Sequence, residues 1–97
     1  MWTVYILQCS DEKYYTGCTS DLEYRVKQHD AGEVPATKGR LPIILTTYIV
    51  FKDKQKAYDF EKYLKTGSGR AVMHKRLVYL VFVIDFKLRK SPQHVSC

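Results

Sequence analysis

Trp2-Thr3-Val4-Tyr5-Ile6-Leu7-Gln8-Cys9, the polar break Ser10-Asp11-Glu12-Lys13, and Tyr14-Tyr15-Thr16-Gly17-Cys18-Thr19 together decide how this chain folds. β-Branched and aromatic residues dominate both outer runs, and such side chains suit a pleated, half-buried surface. Two short strands around a tight polar loop predict a β-hairpin.

Outward from the hairpin, the signals alternate between helix and strand. Ser20 is a good N-cap for a helix from Asp21 to about Ala31. Asp21 and Glu23 lie in its first turn, where the helix dipole favours them, and Gly32 can close it. Residues 33–42 hold two prolines and a glycine and read as a loop that exposes Lys38 and Arg40. Ile43 to Phe51 predicts a third strand. Asp53 caps a second helix that runs to about Thr66 and ends at Gly67, and Ser68 can cap a third, strongly basic helix from Gly69 to about Leu77. In residues 78–86, Val78, Leu80, Phe82, Ile84 and Phe86 alternate with other residues, which allows a fourth strand. The interleaved Tyr79, Val81 and Val83 are apolar too, so that strand wants cover on both faces. Residues 87–97 read as a polar tail.

Composition narrows the class of protein. Ninety-seven residues make one small domain with no second domain or linker, and the 45% hydrophobic and 13% aromatic content suffices for one core. Sixteen Lys and Arg against ten Asp and Glu leave a charge of +6, which suits an anionic partner. Cys9, Cys18 and Cys97 are odd in number and lack metal-ligand spacing, so a reducing, cytoplasmic setting is the simpler reading. The most apolar run, residues 77–84, falls well short of the roughly 20 residues of a membrane helix, so no membrane association is expected.

Polar residues sit where helix cores should be. Leu22, Arg25, Val26 and His29 fall at i, i+3, i+4 and i+7, one narrow helical stripe. Ala57, Phe60, Glu61 and Leu64 repeat that spacing, and a carboxylate on such a face is expensive unless it pairs or binds a cation. A structural ion pair between Arg25 and Glu61, with His29 as a satisfied rim histidine, accounts for them without function. The functional account adds Tyr5, Tyr14 and Tyr15 from the hairpin and needs both helices on one sheet face. The groups then converge on one cleft and suit phosphoryl transfer: an arginine for the phosphate, a carboxylate for a divalent metal, and a base for the attacking water.

In sequence order, these residues resemble the GIY-YIG nuclease superfamily. Thr3-Val4-Tyr5 stands in the place of its first tripeptide and Tyr15-Thr16-Gly17 in that of its second, followed by Arg25, His29 and Glu61. Residues 14–22 and 61–71 are similar to those of small stand-alone bacterial members related to the nuclease domain of the bacterial excinuclease. The resemblance implies an α+β fold with a three-stranded antiparallel sheet flanked by helices over residues 1–77, residues 78–97 being an extension. It implies a metal-dependent endonuclease acting on DNA more readily than RNA, and the lack of a second domain to read sequence predicts recognition by structure rather than sequence. It further implies Tyr5 as general base helped by His29, with Tyr15 the competing candidate, Arg25 on the scissile phosphate, and Glu61 on one Mg²⁺ or Mn²⁺ ion.

The chain departs from the family pattern at Thr3, Val4 and Thr16, and it contains no asparagine, although many active relatives carry one a little over a dozen positions after the glutamate. That absence keeps a second reading open, a catalytically weak or inactive nucleic-acid-binding module on the same fold. In either case Lys27, Lys38, Arg40, Lys65, Arg70, Lys75 and Arg76 are the expected phosphate contacts, and the apolar run 77–86 is an expected surface for self-association.

Overall fold

The computed structural model describes residues 1–78. Strand β1 (Trp2–Gln8) turns into β2 (Tyr14–Thr19), followed by helices α1 (Leu22–Asp30) and α2 (Pro35–Lys38), strand β3 (Ile44–Phe51), helices α3 (Lys54–Leu64) and α4 (Gly67–Val72), and a π-helical turn, Met73–Val78. The sheet is antiparallel throughout with order β2-β1-β3, so β1 is central. This is the expected α+β architecture.

β1 explains the layering. Val4, Tyr5, Ile6 and Leu7 are all buried, although alternate residues of a strand face opposite sides. Val4 and Ile6 pack with Ala57 and Leu64 of α3 and with Met73, while Trp2, Cys18, Phe51 and Phe60 flank that core. Tyr5 and Leu7 pack on the other side with Cys9 and Ile43, flanked by Leu22 and Val26 of α1. The two long helices therefore cover opposite faces of the sheet, which corrects the expectation that both lie on one. A strand apolar at every central position requires cover on both faces, and one helix supplies each.

Local chemistry sets the helix ends. Asp21, rather than Ser20, caps α1: its carboxylate accepts the Tyr24 N–H at 3.1 Å. Gly32 takes φ +75° just past the helix, where a side chain would be strained. The stretch expected as loop contains α2, opened by Pro35, whose fixed φ suits a first helical turn. Asp53 caps α3 as expected, but α3 stops at Leu64 because Thr66 leaves the helix to cap α4. The Thr66 hydroxyl donates to the Tyr63 carbonyl at 2.6 Å and accepts the Gly69 N–H at 3.1 Å, so Thr66 takes the place expected for Ser68. Val78, expected to open a fourth strand, closes the π-helical turn instead. Residues 79–97, with the rest of that expected strand and the tail, lie outside the described residues. No described helix is long and apolar enough to cross a membrane.

Candidate active site

Antiparallel register puts Tyr5 directly opposite Gly17, and the Tyr5 ring lies across that glycine. A Cβ built on Gly17 would collide with the Tyr5 ring and hydroxyl, so the absence of a side chain at 17 sets where the phenol points. The Tyr5 hydroxyl lies 2.9 Å from His29 Nε2, and the other ring nitrogen of His29, Nδ1, lies 2.7 Å from the Thr37 hydroxyl. Tyr15, two residues before Gly17 on the same face, packs at a tilt against both aromatic rings, with centroid distances of 6.3 Å to Tyr5 and 5.2 Å to His29.

Burial divides this group into an inner and an outer part. Tyr5 is 1% exposed, and His29 and Thr37 are fully buried, whereas Tyr15 and Arg25 are half-buried and form the outer rim. Burial raises the Tyr5 pKa. The Arg25 guanidinium beside it opposes that shift, while Tyr15 and the Glu61 charge add to it. Burial lowers the His29 pKa, and the Arg25 charge lowers it further. Arg25 itself is held charged, chiefly by its interaction with the Tyr5 hydroxyl. His29 is therefore no rim histidine. It is a neutral imidazole with both nitrogens engaged in the interior.

Glu61 reaches the site from the opposite face. Its side chain is 17% exposed and its carboxylate lies 3.1 Å from Lys65 Nζ. Arg25 donates to Gln28 Oε1 at 3.1 Å. Among the described residues it forms no salt bridge, so the structural Arg25–Glu61 pair is not made. Glu61 is nevertheless close enough for its charge to act on both Tyr5 and Cys18.

These residues thus occupy the two faces around β2, an edge strand. Residues 1–76 match the GIY-YIG catalytic domain. The chain belongs to the GIY-YIG family. A UPF0213 protein of Haloquadratum walsbyi is 44% identical over 64 residues, covering 65% of this chain and 72% of that one. A UPF0213 protein of Streptococcus pyogenes is 37% identical over 78 residues, covering 79% and 82%. The solution NMR structure of a UPF0213 protein from Bacillus halodurans superposes with a TM-score of 0.51 at 33% identity, covering 84% of this chain and 94% of that one.

GIY-YIG nucleases generally use a divalent metal, and Glu61 fits one of a particular kind. Among the described residues no group of three or more His, Cys, Asp or Glu could enclose an ion. A single carboxylate suits Mg²⁺, which keeps several waters and completes its shell with substrate phosphate. Lys65 is the group that would have to move aside, and it is a flexible side chain on the helix surface.

The expected phosphate contacts separate into two sets. Arg40, Lys65 and Arg70 line one cleft of about 480 Å³ at the β2 edge, together with Lys13, Tyr14, Tyr15 and His74. Tyr14 and His74 meet there edge to face, with centroids 5.4 Å apart. Arg40 also holds the hairpin loop through Asp11 at 3.0 Å, so it is not the free loop arginine expected. Lys27 pairs with Glu23 on the exposed side of α1, Lys38 is exposed on α2, and Lys75 and Arg76 are exposed on the π-helical turn. Sequence reading missed Thr37, Lys13 and His74. No spacing rule links Thr37 to His29, because a tight turn and a proline separate them.

Proposed function

We propose that this protein is a metal-dependent endonuclease that hydrolyses phosphodiester bonds in DNA and selects substrates by structure. The Tyr5–His29 contact beside Arg25 carries this reading. A buried tyrosine oxygen held by a neutral histidine next to a fixed positive charge is more than packing requires, and it suits a proton acceptor. In the reaction, Arg25 neutralises charge building on the phosphoryl oxygens. The water oxygen bonds to phosphorus as the bond from phosphorus to the leaving oxygen breaks; the water proton passes to the tyrosine oxygen, Tyr5 first and Tyr15 as the competing candidate, while the phenol's own proton moves on, from Tyr5 to His29 Nε2 at 2.9 Å, and the leaving oxygen takes a proton from solvent. A divalent ion at Glu61, Mg²⁺ or Mn²⁺, would supply charge stabilisation for the leaving oxygen.

The cleft at the β2 edge supports the choice of partner. Among its lining residues, Lys13, Arg40, Lys65 and Arg70 oppose only Glu12, and Tyr15 is part of its wall, so a phosphate chain crossing it meets Tyr15, the competing candidate for the base. Aromatic and basic groups in one groove suit unstacked or single-stranded nucleotides as well as duplex backbone. The second reading, a binding module with little cleavage, rests on the missing asparagine. The exposed His74 stands a little over a dozen positions after Glu61, and no asparagine is available anywhere to assist. Self-association through the run 77–86 stays part of the proposal, its residues after Val78 lying outside the described ones. A chain ending at Val78 should then sediment as a smaller species than the full chain.

The test is incubation with single-stranded, duplex, flap and branched DNA and matching RNA, with Mg²⁺, Mn²⁺ or chelator. Metal-dependent cleavage of one DNA structure is expected. The Tyr5→Phe and Tyr15→Phe variants then identify the base, whose loss should cost about 10²–10⁴-fold in kcat. Binding without cleavage under every condition selects the binding module.

A further inference from the structure

We propose that Trp2, Tyr58 and Lys54 form a nucleobase subsite: an unstacked base of the substrate strand packs on the Trp2 and Tyr58 rings while Lys54 meets a neighbouring phosphate. The subsite rests on the nucleic-acid reading above. Along α3 it lies on the other side of Glu61 from Lys65 and the cleft.

Lys54, Tyr58, Glu61 and Lys65 stand at i, i+4, i+7 and i+11, which places them in one row along one side of α3. The row covers about 16 Å of helix axis, with Glu61 inside it. Its C-terminal end opens into the cleft, which Leu64, Lys65 and Arg70 help to line. Its N-terminal end meets β1. There the Trp2 and Tyr58 rings lie 5.6 Å apart between centroids, tilted by 45°. Lys54 Nζ sits 4.9 Å from the Trp2 centroid and 5.7 Å from that of Tyr58. Cys18, opposite Val4 in the sheet, feels the charges of both Glu61 and Lys54. The aromatic cluster and the glutamate therefore border the same patch of sheet.

Packing alone does not call for this arrangement. Tyr58 is 40% exposed and Trp2 is only half-buried. Lys54 stands in the first turn of α3, where the helix dipole disfavours a cation. That turn holds no acidic residue to offset it, and the carboxylate of the preceding Asp53 accepts the Gln55 N–H. A cation–π contact at an exposed site is weak, so the ammonium leaves the rings readily when a phosphate offers a full negative charge. The ring faces it uncovers match a nucleobase. Stacking of this kind tolerates any base, in keeping with recognition by structure. A base inside a duplex keeps its faces against its neighbours, so the subsite takes a strand that is unpaired or opened at this point.

Trp2 is the single tryptophan of the chain, so its emission reports on this cluster alone. The experiment titrates the full chain, with chelator present to prevent cleavage, with an oligothymidylate and with an abasic strand of equal length. Anisotropy of the labelled strands gives affinity independently. The oligothymidylate is expected to quench Trp2, after correction for absorption, in step with anisotropy, and the abasic strand to bind with little quenching. Tyr58→Ala should weaken oligothymidylate binding by about 5–150-fold, the usual range for one stacked base, and leave the abasic strand unchanged. Lys54→Ala should lower the slope of log affinity against log salt by about 0.7, the share of one phosphate on a single strand. Saturating binding that leaves Trp2 emission unchanged overturns the inference, whether or not Tyr58→Ala folds. So does a Tyr58→Ala that weakens both strands alike, or neither. Binding and quenching as expected, by a protein that cleaves nothing in Mg²⁺ or Mn²⁺, sustain the subsite and defeat the nuclease reading. A wild type that binds no strand defeats both.

Discussion

Tyr5 owes its position to a residue that has no side chain. The phenol lies across Gly17, so Gly17→Ala forces the ring or the strand to move. Overpacking of this kind costs about 1–3 kcal/mol, and urea denaturation should show a loss in that range. Near-ultraviolet circular dichroism should change in the same variant, because the packing of the Tyr5, Tyr15 and His29 rings is disturbed. His29 sets a pH dependence whose sign follows from its lowered pKa. The unfolded chain takes up a proton near the ordinary value of 6.5, while the folded chain resists until lower pH. The stabilisation is therefore complete above about pH 6.5 and is lost as pH falls through the folded value, at about 1.4 kcal/mol for each pH unit that separates the folded and unfolded values. Urea midpoints measured from pH 7.5 down to pH 5 should fall for the wild type. His29→Gln, which does not titrate there, should show a flatter profile.

At the scale of elements, much of this protein was legible before its structure. The hairpin, α1, β3 and α3 follow from strand composition, helical stripes and the Asp53 cap, because those signals are local. The placement of α1 and α3 on opposite faces was missed, since no local pattern says which face of a sheet a helix will cover. The cue lay in β1, whose Val4-Tyr5-Ile6-Leu7 run does not alternate. α2 escaped because four residues carry no periodicity. The α3–α4 junction escaped because two neighbouring hydroxyl residues, Thr66 and Ser68, could each have capped it, and contact with the Tyr63 carbonyl selects Thr66. Gly69 follows from that choice: a Cβ there would run into the Tyr63 carbonyl and the Leu64 backbone. Backbone cannot yield as a side chain can, so Gly69→Ala should cost about 2 kcal/mol or more in thermal or urea unfolding. Ser68→Ala, by contrast, should be nearly silent.

On the scale of the whole molecule, the charge of +6 is partly gathered on one edge. Lys65→Ala with Arg70→Ala should weaken binding to every DNA sequence alike and lower the slope of log affinity against log salt by about 2, one for each phosphate no longer neutralised. A comparable pair at Lys27 and Lys38, outside the cleft, should change the slope far less. Of the candidate site, the five residues Tyr5, Tyr15, Arg25, His29 and Glu61 were legible as polar intrusions into apolar faces and as an ordered pattern. Their arrangement around both faces of an edge strand was not, and neither was the Thr37 support. The most direct measurement of the central claim is Glu61→Gln, assayed for Mg²⁺-dependent cleavage, DNA binding and stability together. The account expects kcat to fall at least about 100-fold, as for loss of a principal charge-stabilising group. Binding should be kept or tightened as a negative charge leaves the site, and stability should change by less than about 1 kcal/mol, since Gln keeps the shape of Glu61 and the pair lost is one i,i+4 contact with the half-exposed Lys65. Cleavage at the wild-type rate by a folded Glu61→Gln would contradict it.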